Sequence, residues 1–236
     1  MQTLILRHNH LSCERQSDCA FTTSSDAPLP HLRYLDLSDN LLTSGEDQDG
    51  GAGLRLAANV FPGLLELDLT GNRLTAIVVG AFGSLTRLQT LRLSDNPLTG
   101  VESGALDGLA ALTKLEMDRC GRLTHLRAGA LAGLNKLRTF SARDSGLVHL
   151  HHVVFAHLTH LEELHLRNNR LGDQVQSHLI HVTIFYPSAR TIFVVTFVCR
   201  ELLVHVLAIF TNAVYASVLL SVRHNPVLYQ NCLTYL

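Results

Sequence analysis

Six of the chain's fourteen histidines crowd between residues 149 and 165: His149, His151, His152, His157, His160 and His165. Zinc needs three or four such ligands converging on a tetrahedron. In the pattern derived below, His149, His151 and His152 follow a turn. His157 falls on the return of the same coil, and His165 points to the opposite, concave side. They do not converge, so exposed, solvated histidines are expected and no metal. A pH-sensitive surface is the chemistry such residues retain. The run Asp47-Gln48-Asp49-Gly50 resembles the start of a calcium loop but lacks the terminal Glu. A solvated acidic loop is expected there. Five cysteines cannot all pair internally. Cys13 and Cys19 lie close together in a polar stretch, which suits a local disulfide in an oxidising compartment; two free thiols are the alternative. Serine, histidine and aspartate all occur, yet no nucleophile elbow, phosphate loop, dinucleotide fingerprint or H-E-x-x-H is present. No enzyme and no cofactor is expected.

These residues are positioned by a repeat of the form L-x-x-L-x-L-x-x-N-x-L. It reads Leu32, Leu35, Leu37, Asn40, Leu42, then Leu64, Leu67, Leu69, Asn72, Leu74, then Leu88, Leu91, Leu93, Asn96, Leu98. It continues as Leu112, Leu115, Met117, Cys120, Leu123, with one extra residue, then Leu137, Phe140, Ala142, Ser145, Leu147, then Leu161, Leu164, Leu166, Asn169, Leu171. A partial copy, Met1, Leu4, Leu6, Asn9, Leu11, precedes them. From Leu64 the steps are 24, 24, 25 and 24 residues. A fixed period of this length denotes a solenoid of stacked coils. The alternating leucines predict short parallel strands with apolar side chains inward. Asn9, Asn40, Asn72, Asn96, Cys120 and Asn169 form the structural ladder that turns the chain out of each strand; Ser145 is expected to make a weaker rung. Gly80-Ala81-Phe82, Gly104-Ala105-Leu106 and Gly129-Ala130-Leu131 predict a short turn or 3-10 segment on the convex side.

A 24-residue unit with this Gly-Ala-Phe-x-x-Leu signature resembles the typical leucine-rich repeats of animal extracellular proteins, such as Toll-like receptors, Slit-type guidance proteins and chaoptin-like adhesion proteins. The resemblance covers residues 28–174, with the partial copy at 1–11, and lacks the cysteine-rich caps of those families. It implies an α/β repeat fold, a secreted or cell-surface location and a protein ligand. A cytosolic scaffold built on the same repeat is the alternative. The uncapped first coil suggests a fragment of a longer protein.

Strand positions between the buried leucines face the concave side. Three rows follow: Tyr34, Glu66, Thr90, Lys114, Thr139, Glu163; then Asp36, Asp68, Arg92, Glu116, Ser141, His165; then Ser38, Thr70, Ser94, Asp118, Arg143, Arg167. From them Tyr34, Asp36, Glu66, Asp68, Arg92, Lys114, Glu116, Asp118, Arg143, His165 and Arg167 are the candidate ligand-binding residues. The face begins acidic and ends basic. With 19 basic and 20 acidic residues in all, no nucleic-acid footprint is expected.

Three segments result: 1–27, a partial repeat and a cysteine-containing loop; 28–174, the solenoid; and 175–236, an apolar tail expected to be helical. The tail holds only Arg190, Arg200, Glu201 and Arg223 as charges. Leu202–Val222 is free of Asp, Glu, Lys and Arg and is long enough to span a bilayer. A cap on the open end of the solenoid and a read-through segment outside the repeat protein are its other two readings.

Overall fold

In the computed structural model the described residues are 1–12, 28–44, 54, 56, 60–82, 85–150, 154–155 and 157–171, with the backbone of 180–186, 191–197 and 217–221. The Cys13–Cys19 pair, the acidic insertion at 45–53, and His151 and His152 lie outside them.

One strand per coil forms a continuous sheet: β1 (Thr3–Ile5), β2 (Tyr34–Asp36), β3 (Glu66–Asp68), β5 (Thr90–Arg92), β7 (Lys114–Glu116), β9 (Thr139–Ser141) and β11 (Glu163–His165). All neighbours are parallel. The register runs Leu4, Leu35, Leu67, Leu91, Leu115, Phe140, Leu164, so the repeat alignment and the strand pairing coincide. Each central residue from Leu35 onward is buried, because the period-two pleat turns it inward while its neighbours face out. The leucines before and after it, from Leu32 to Leu171, join the same core.

A second set of short strands lines the other side of the coils: β4 (Ala76–Ile77) pairs with β6 (Gly100–Val101), and β8 (His125–Leu126) with β10 (His149–Leu150). The sequence reading placed only turns there. The turns follow these strands. In Val78–Ala81 the Ala81 amide bonds the Val78 carbonyl at 3.2 Å, and Gly80, the third residue, has φ 83°. That backbone suits glycine, which is why the Gly-Ala-Phe signature recurs. Glu102–Ala105 and Arg127–Ala130 repeat it, with Gly104 and Gly129. No helix occurs among the described residues, so the α component of the expected α/β class is corrected to strands and turns.

The tail is corrected likewise. Its described parts are strands: β12 (Ile180–Tyr186), β13 (Thr191–Phe197) and β14 (Ser217–Ser221). β13 pairs parallel with β11, and β12 runs antiparallel between β13 and β14. Runs rich in Val, Ile, Thr and Phe favour strand over helix, and the edge of β11 offers unpaired backbone groups.

The ladder binds the coils together. Asn96 donates to the Leu69 carbonyl of the preceding coil at 2.9 Å and to its own Leu93 and Ser94 carbonyls at 3.0 and 3.2 Å, and accepts from the Leu74 amide at 3.0 Å. Asn40 and Asn72 repeat this pattern, and Asn169 bonds back to Ala142. Asn9 is exposed and, among the described residues, bonds Leu6 and Arg7 of its own coil. The weakest rung is Cys120 rather than Ser145. The Ser145 hydroxyl lies 2.7 and 2.9 Å from the Met117 and Arg143 carbonyls. The Cys120 thiol reaches the Leu93 and Asp118 carbonyls only at 3.5 and 3.8 Å. It also offers no oxygen to the Leu98 amide, the equivalent of Leu42 and Leu74, which are bonded by Asn72 and Asn96. Cys120→Asn is therefore expected to stabilise the protein by about 1 kcal/mol, the net worth of a buried hydrogen bond. Chemical denaturation measures it; an unchanged or lower midpoint would show that the larger side chain does not fit.

Two further anchors hold the insertion and the turns. Ser44 is buried where the insertion departs. Its hydroxyl accepts from the Thr75 and Ala76 amides at 2.8 and 3.0 Å and donates to the Ala76 carbonyl at 2.7 Å. The Leu54 amide, on the far side of the insertion, bonds the Thr43 carbonyl at 3.0 Å. The residue before each ladder position is left-handed as well: His8, Asp39, Gly71, Asp95, Arg119, Asp144 and Asn168, with φ between 53° and 69°. Asp, Asn and Gly tolerate that conformation best. Arg119 does not, yet it is held by Asp95 one coil earlier, Nε to Oδ1 at 2.7 Å and Nη2 to Oδ2 at 2.5 Å. Asn168 donates to Asp144 in the same manner at 2.8 Å.

Candidate functional site

Register fixes the candidate face residue by residue. Tyr34, Glu66, Thr90, Lys114, Thr139 and Glu163 are successive pairing partners, and so are Asp36, Asp68, Arg92, Glu116, Ser141 and His165. Both predicted rows thus lie side by side on one sheet. The third row leaves the strand ends in step: Asp118 receives the Ser141 hydroxyl at 2.6 Å and the Arg143 amide at 2.7 Å, and its own amide donates to Ser94 Oγ at 3.1 Å.

The centre of this face is internally paired. Arg92 reaches Glu66 at 3.5 Å and Glu116 at 3.1 Å, and Lys114 reaches Glu116 at 2.7 Å. The relay Glu66–Arg92–Glu116–Lys114 is neutral as a whole. The sequence named all four residues but not their pairing, because the partners lie one coil apart and side-chain reach is invisible in a repeat alignment.

The two ends differ. At the first, Asp36 is 6% exposed; its Oδ1 accepts from the Ser38 amide and hydroxyl at 2.9 and 2.6 Å. Asp68 Oδ1 accepts from the Thr70 amide at 2.9 Å. The Tyr34 hydroxyl lies 3.5 Å from Asp36 Oδ2. Burial, then Asp36 and Asp68, raise the Tyr34 pKa, so the phenol stays protonated and a donor. At the other end Arg143, His165 and Arg167 gather. Arg143 Nε is buried with no hydrogen-bond partner among the described residues. His165 Nε2 is 3.5 Å from Glu163.

Burial and then Arg143 lower the His165 pKa below its ordinary 6.5, outweighing Glu163. The folded state therefore binds fewer protons at this site than the unfolded chain. The sign follows: above about pH 6.5 the shift makes no difference, and stability falls as pH drops below the unfolded value. His165→Gln is expected to flatten that part of the stability profile, read from urea midpoints between about pH 7 and 5. An unchanged slope would show that His165 is not the group responsible.

Among the described residues the other histidines form no cluster of three. His125 and His149 are strand neighbours on the outer side, and His160 Nδ1 lies 2.8 Å from the Asn135 carbonyl. Among the described residues no group of three His, Cys, Asp or Glu could hold a metal ion. Burial pushes the Cys120 thiol up to about 11, which leaves it unreactive at neutral pH. On the outer side the small Ala76 and Gly100 leave a shallow cleft of about 530 Å³, walled by Val101, Glu102, His125 and Arg127. β6 and β8 belong to different two-stranded sheets there.

A stack of parallel strands joined by an asparagine ladder, with its core inside each coil, defines a leucine-rich-repeat solenoid. Comparison with known families agrees. The leucine-rich-repeat family matches residues 62–121 and 118–171, and again 31–51. The chain belongs to the leucine-rich-repeat family. It is similar to vasorin of Mus musculus, 35% identical over 119 residues, which are 50% of this chain and 16% of that protein. It is similar also to the transforming growth factor beta activator LRRC32 of Pongo abelii, 34% identical over 164 residues, or 62% and 24% of the two chains. The trophoblast glycoprotein of Mus musculus is 31% identical over 137 residues, 47% of this chain and 32% of that one. The chain thus spans about a third or less of each of these relatives.

Proposed function

We propose that this chain is the protein-binding module of a secreted or cell-surface receptor or adhesion protein, and that it grips its partner on the concave sheet. The observation that carries the reading is the in-register display of polar residues from Tyr34 to Arg167 on consecutive strands. Repeat solenoids bind through such an extended surface, and rows already held by ion pairs and backbone bonds lose little freedom on docking. The name of LRRC32 as an activator of transforming growth factor beta is the support for a protein ligand. Recognition rather than catalysis fits the face, whose central carboxylates are spent on cations and whose Asp36 and Asp68 are spent on backbone amides.

The test is an array of secreted and cell-surface ectodomains, transforming growth factor beta among them, probed with the full chain. Thr90→Trp and Thr139→Trp fill the centre of the face, and Lys136→Trp adds the same bulk to an exposed position away from these rows. Partners bound by the parent should be lost with the first two substitutions and kept with the third. Retention by the face variants would overturn the reading.

The anchoring half of the reading rests on Leu202–Val222. No helix long and apolar enough to cross a membrane occurs among the described residues. β14 occupies residues 217–221 of that window and pairs with β12, so bilayer span and sheet strand are competing uses of one segment. Protease treatment of microsomes separates them: a protected fragment containing Leu202–Val222 supports the anchor, and its complete digestion rejects it. The compartment is read from the intact mass of unreduced protein. Loss of two hydrogens at Cys13–Cys19 supports the extracellular reading; free thiols favour the cytosolic scaffold.

A further inference from the structure

We propose that the partner's docking surface is itself split in charge: basic where it meets Asp36 and Asp68, and acidic where it meets Arg143 and Arg167. This rests on the concave-face reading and adds the chemistry of the partner to it.

The two ends share an unusual property. Asp36 and Asp68 are direct pairing partners on adjacent strands, and like charges placed directly opposite destabilise a sheet. Arg143 and Arg167 follow adjacent strands in the same manner: the Asp144 amide, next to Arg143, bonds the Arg167 carbonyl at 3.0 Å. Among the described residues none of these four forms an ion pair within 4 Å, while Glu66, Arg92, Glu116 and Lys114 between them are fully zipped. Like charges set side by side without a counter-ion at both ends, around a neutralised centre, break a local rule of stability. Such breaks concentrate at functional sites.

Distance keeps the ends independent. β2 and β11 are five strand spacings apart, about 24 Å. The nearest members of the two pairs, Asp68 on β3 and Arg143 after β9, stand three spacings apart, about 14 Å, which still exceeds the screening length of about 8 Å at physiological salt. Neither end cancels the field of the other at a partner's surface. Tyr34 strengthens the choice at the acidic end. Its hydroxyl stands 3.5 Å from Asp36 Oδ2, and its partly exposed ring offers an aromatic face to a lysine or arginine drawn in by the two carboxylates. A split face of this sort orients a partner and excludes one with uniform charge.

The probe is a fluorescent peptide with a lysine block and a glutamate block joined by a neutral spacer of about eight residues, which spans about 26 Å when extended. Peptides of equal length with only one of the blocks are the comparison. In low salt the two-block peptide should bind about tenfold more tightly, because the second contact is made within the same complex. The gap should close at about 0.5 M salt. Asp36→Asn with Asp68→Lys should abolish the advantage, and so should Arg143→Gln with Arg167→Glu. All four changes together should restore most of it, since the peptide can turn round. Asp36→Asn keeps an acceptor for the Ser38 amide, and thermal melts check that each variant folds. Equal binding of all three peptides, or no recovery in the four-fold variant, would overturn the inference. If that occurs while Thr90→Trp and Thr139→Trp still abolish capture on the ectodomain array, the concave reading stands without the charge split. If those substitutions leave capture intact, the concave reading falls first.

Discussion

Asn96→Ala is expected to lower the stability of the solenoid by about 2 kcal/mol, because a buried polar group left without a partner costs about 1–3 kcal/mol. The substitution leaves the Leu74 amide without its acceptor and takes one donor each from the Leu69, Leu93 and Ser94 carbonyls, which keep the Asn72 amide, the Cys120 thiol and the Gly71 backbone amide. All are enclosed between coils, where water cannot replace the lost bonds. Each coil touches only its neighbours, so no other element supplies the Leu74 amide with a new acceptor. Asn9→Ala supplies the contrast. Asn9 is exposed and, among the described residues, bonds its own coil at 2.9 and 3.1 Å, so its loss should stay below about 1 kcal/mol. Asn96→Asp should be nearly as damaging as Asn96→Ala, for it keeps the acceptor but discards both donors and buries a charge. Urea denaturation of the three variants measures the order. Equal effects at Asn9 and Asn96 would mean that the coils are held by leucine packing alone.

The leucine slots, the ladder and the two strand rows were legible because one period fixes all three. Once Leu67 is aligned with Leu91, the pleat dictates that Glu66 meets Thr90 and Asp68 meets Arg92, and the register agrees. What escaped was whatever the repeat leaves variable. The left-handed position before the ladder holds His, Asp, Gly, Arg or Asn, which share no side-chain property. Only the excess of Asp, Asn and Gly in front of the ladder residue could have pointed to a positive φ. β4, β6, β8 and β10 are two residues long, too short for alternation to register. Ser44 anchors the insertion through bonds spanning 31 and 32 residues. The tail misled for a different reason. An apolar run is equally suited to a helix or a buried strand, and length favoured the helix. Pairing with β11, which a local reading cannot see, decides for strands over 180–186 and 191–197.

Phe140→Ala should cost about 3–5 kcal/mol, as large aromatic truncations in packed cores do. Phe140 takes the central strand slot that leucine fills in the neighbouring coils, and it is fully buried. Its ring lies 5.9 Å from that of Phe155, tilted by 57°, an arrangement favourable beyond the area it buries. Phe140→Leu, which restores the residue of the adjacent strands, should cost only about 1 kcal/mol. The spatial pattern of the damage distinguishes this position from Asn96. Stability in a stack of coils is close to a sum of nearest-neighbour terms. Asn96 lies mid-stack, so its loss uncouples the coils on either side of it. Phe140 lies near the far end. Its truncation should release amide protons of β9 and β11 while β3 and β5 keep most of their protection, as read by hydrogen exchange. Uniform loss of protection along the sheet would mean that the solenoid unfolds as one unit. In that case the basic end of the face, Arg143 to Arg167, could not open without the acidic end at Asp36.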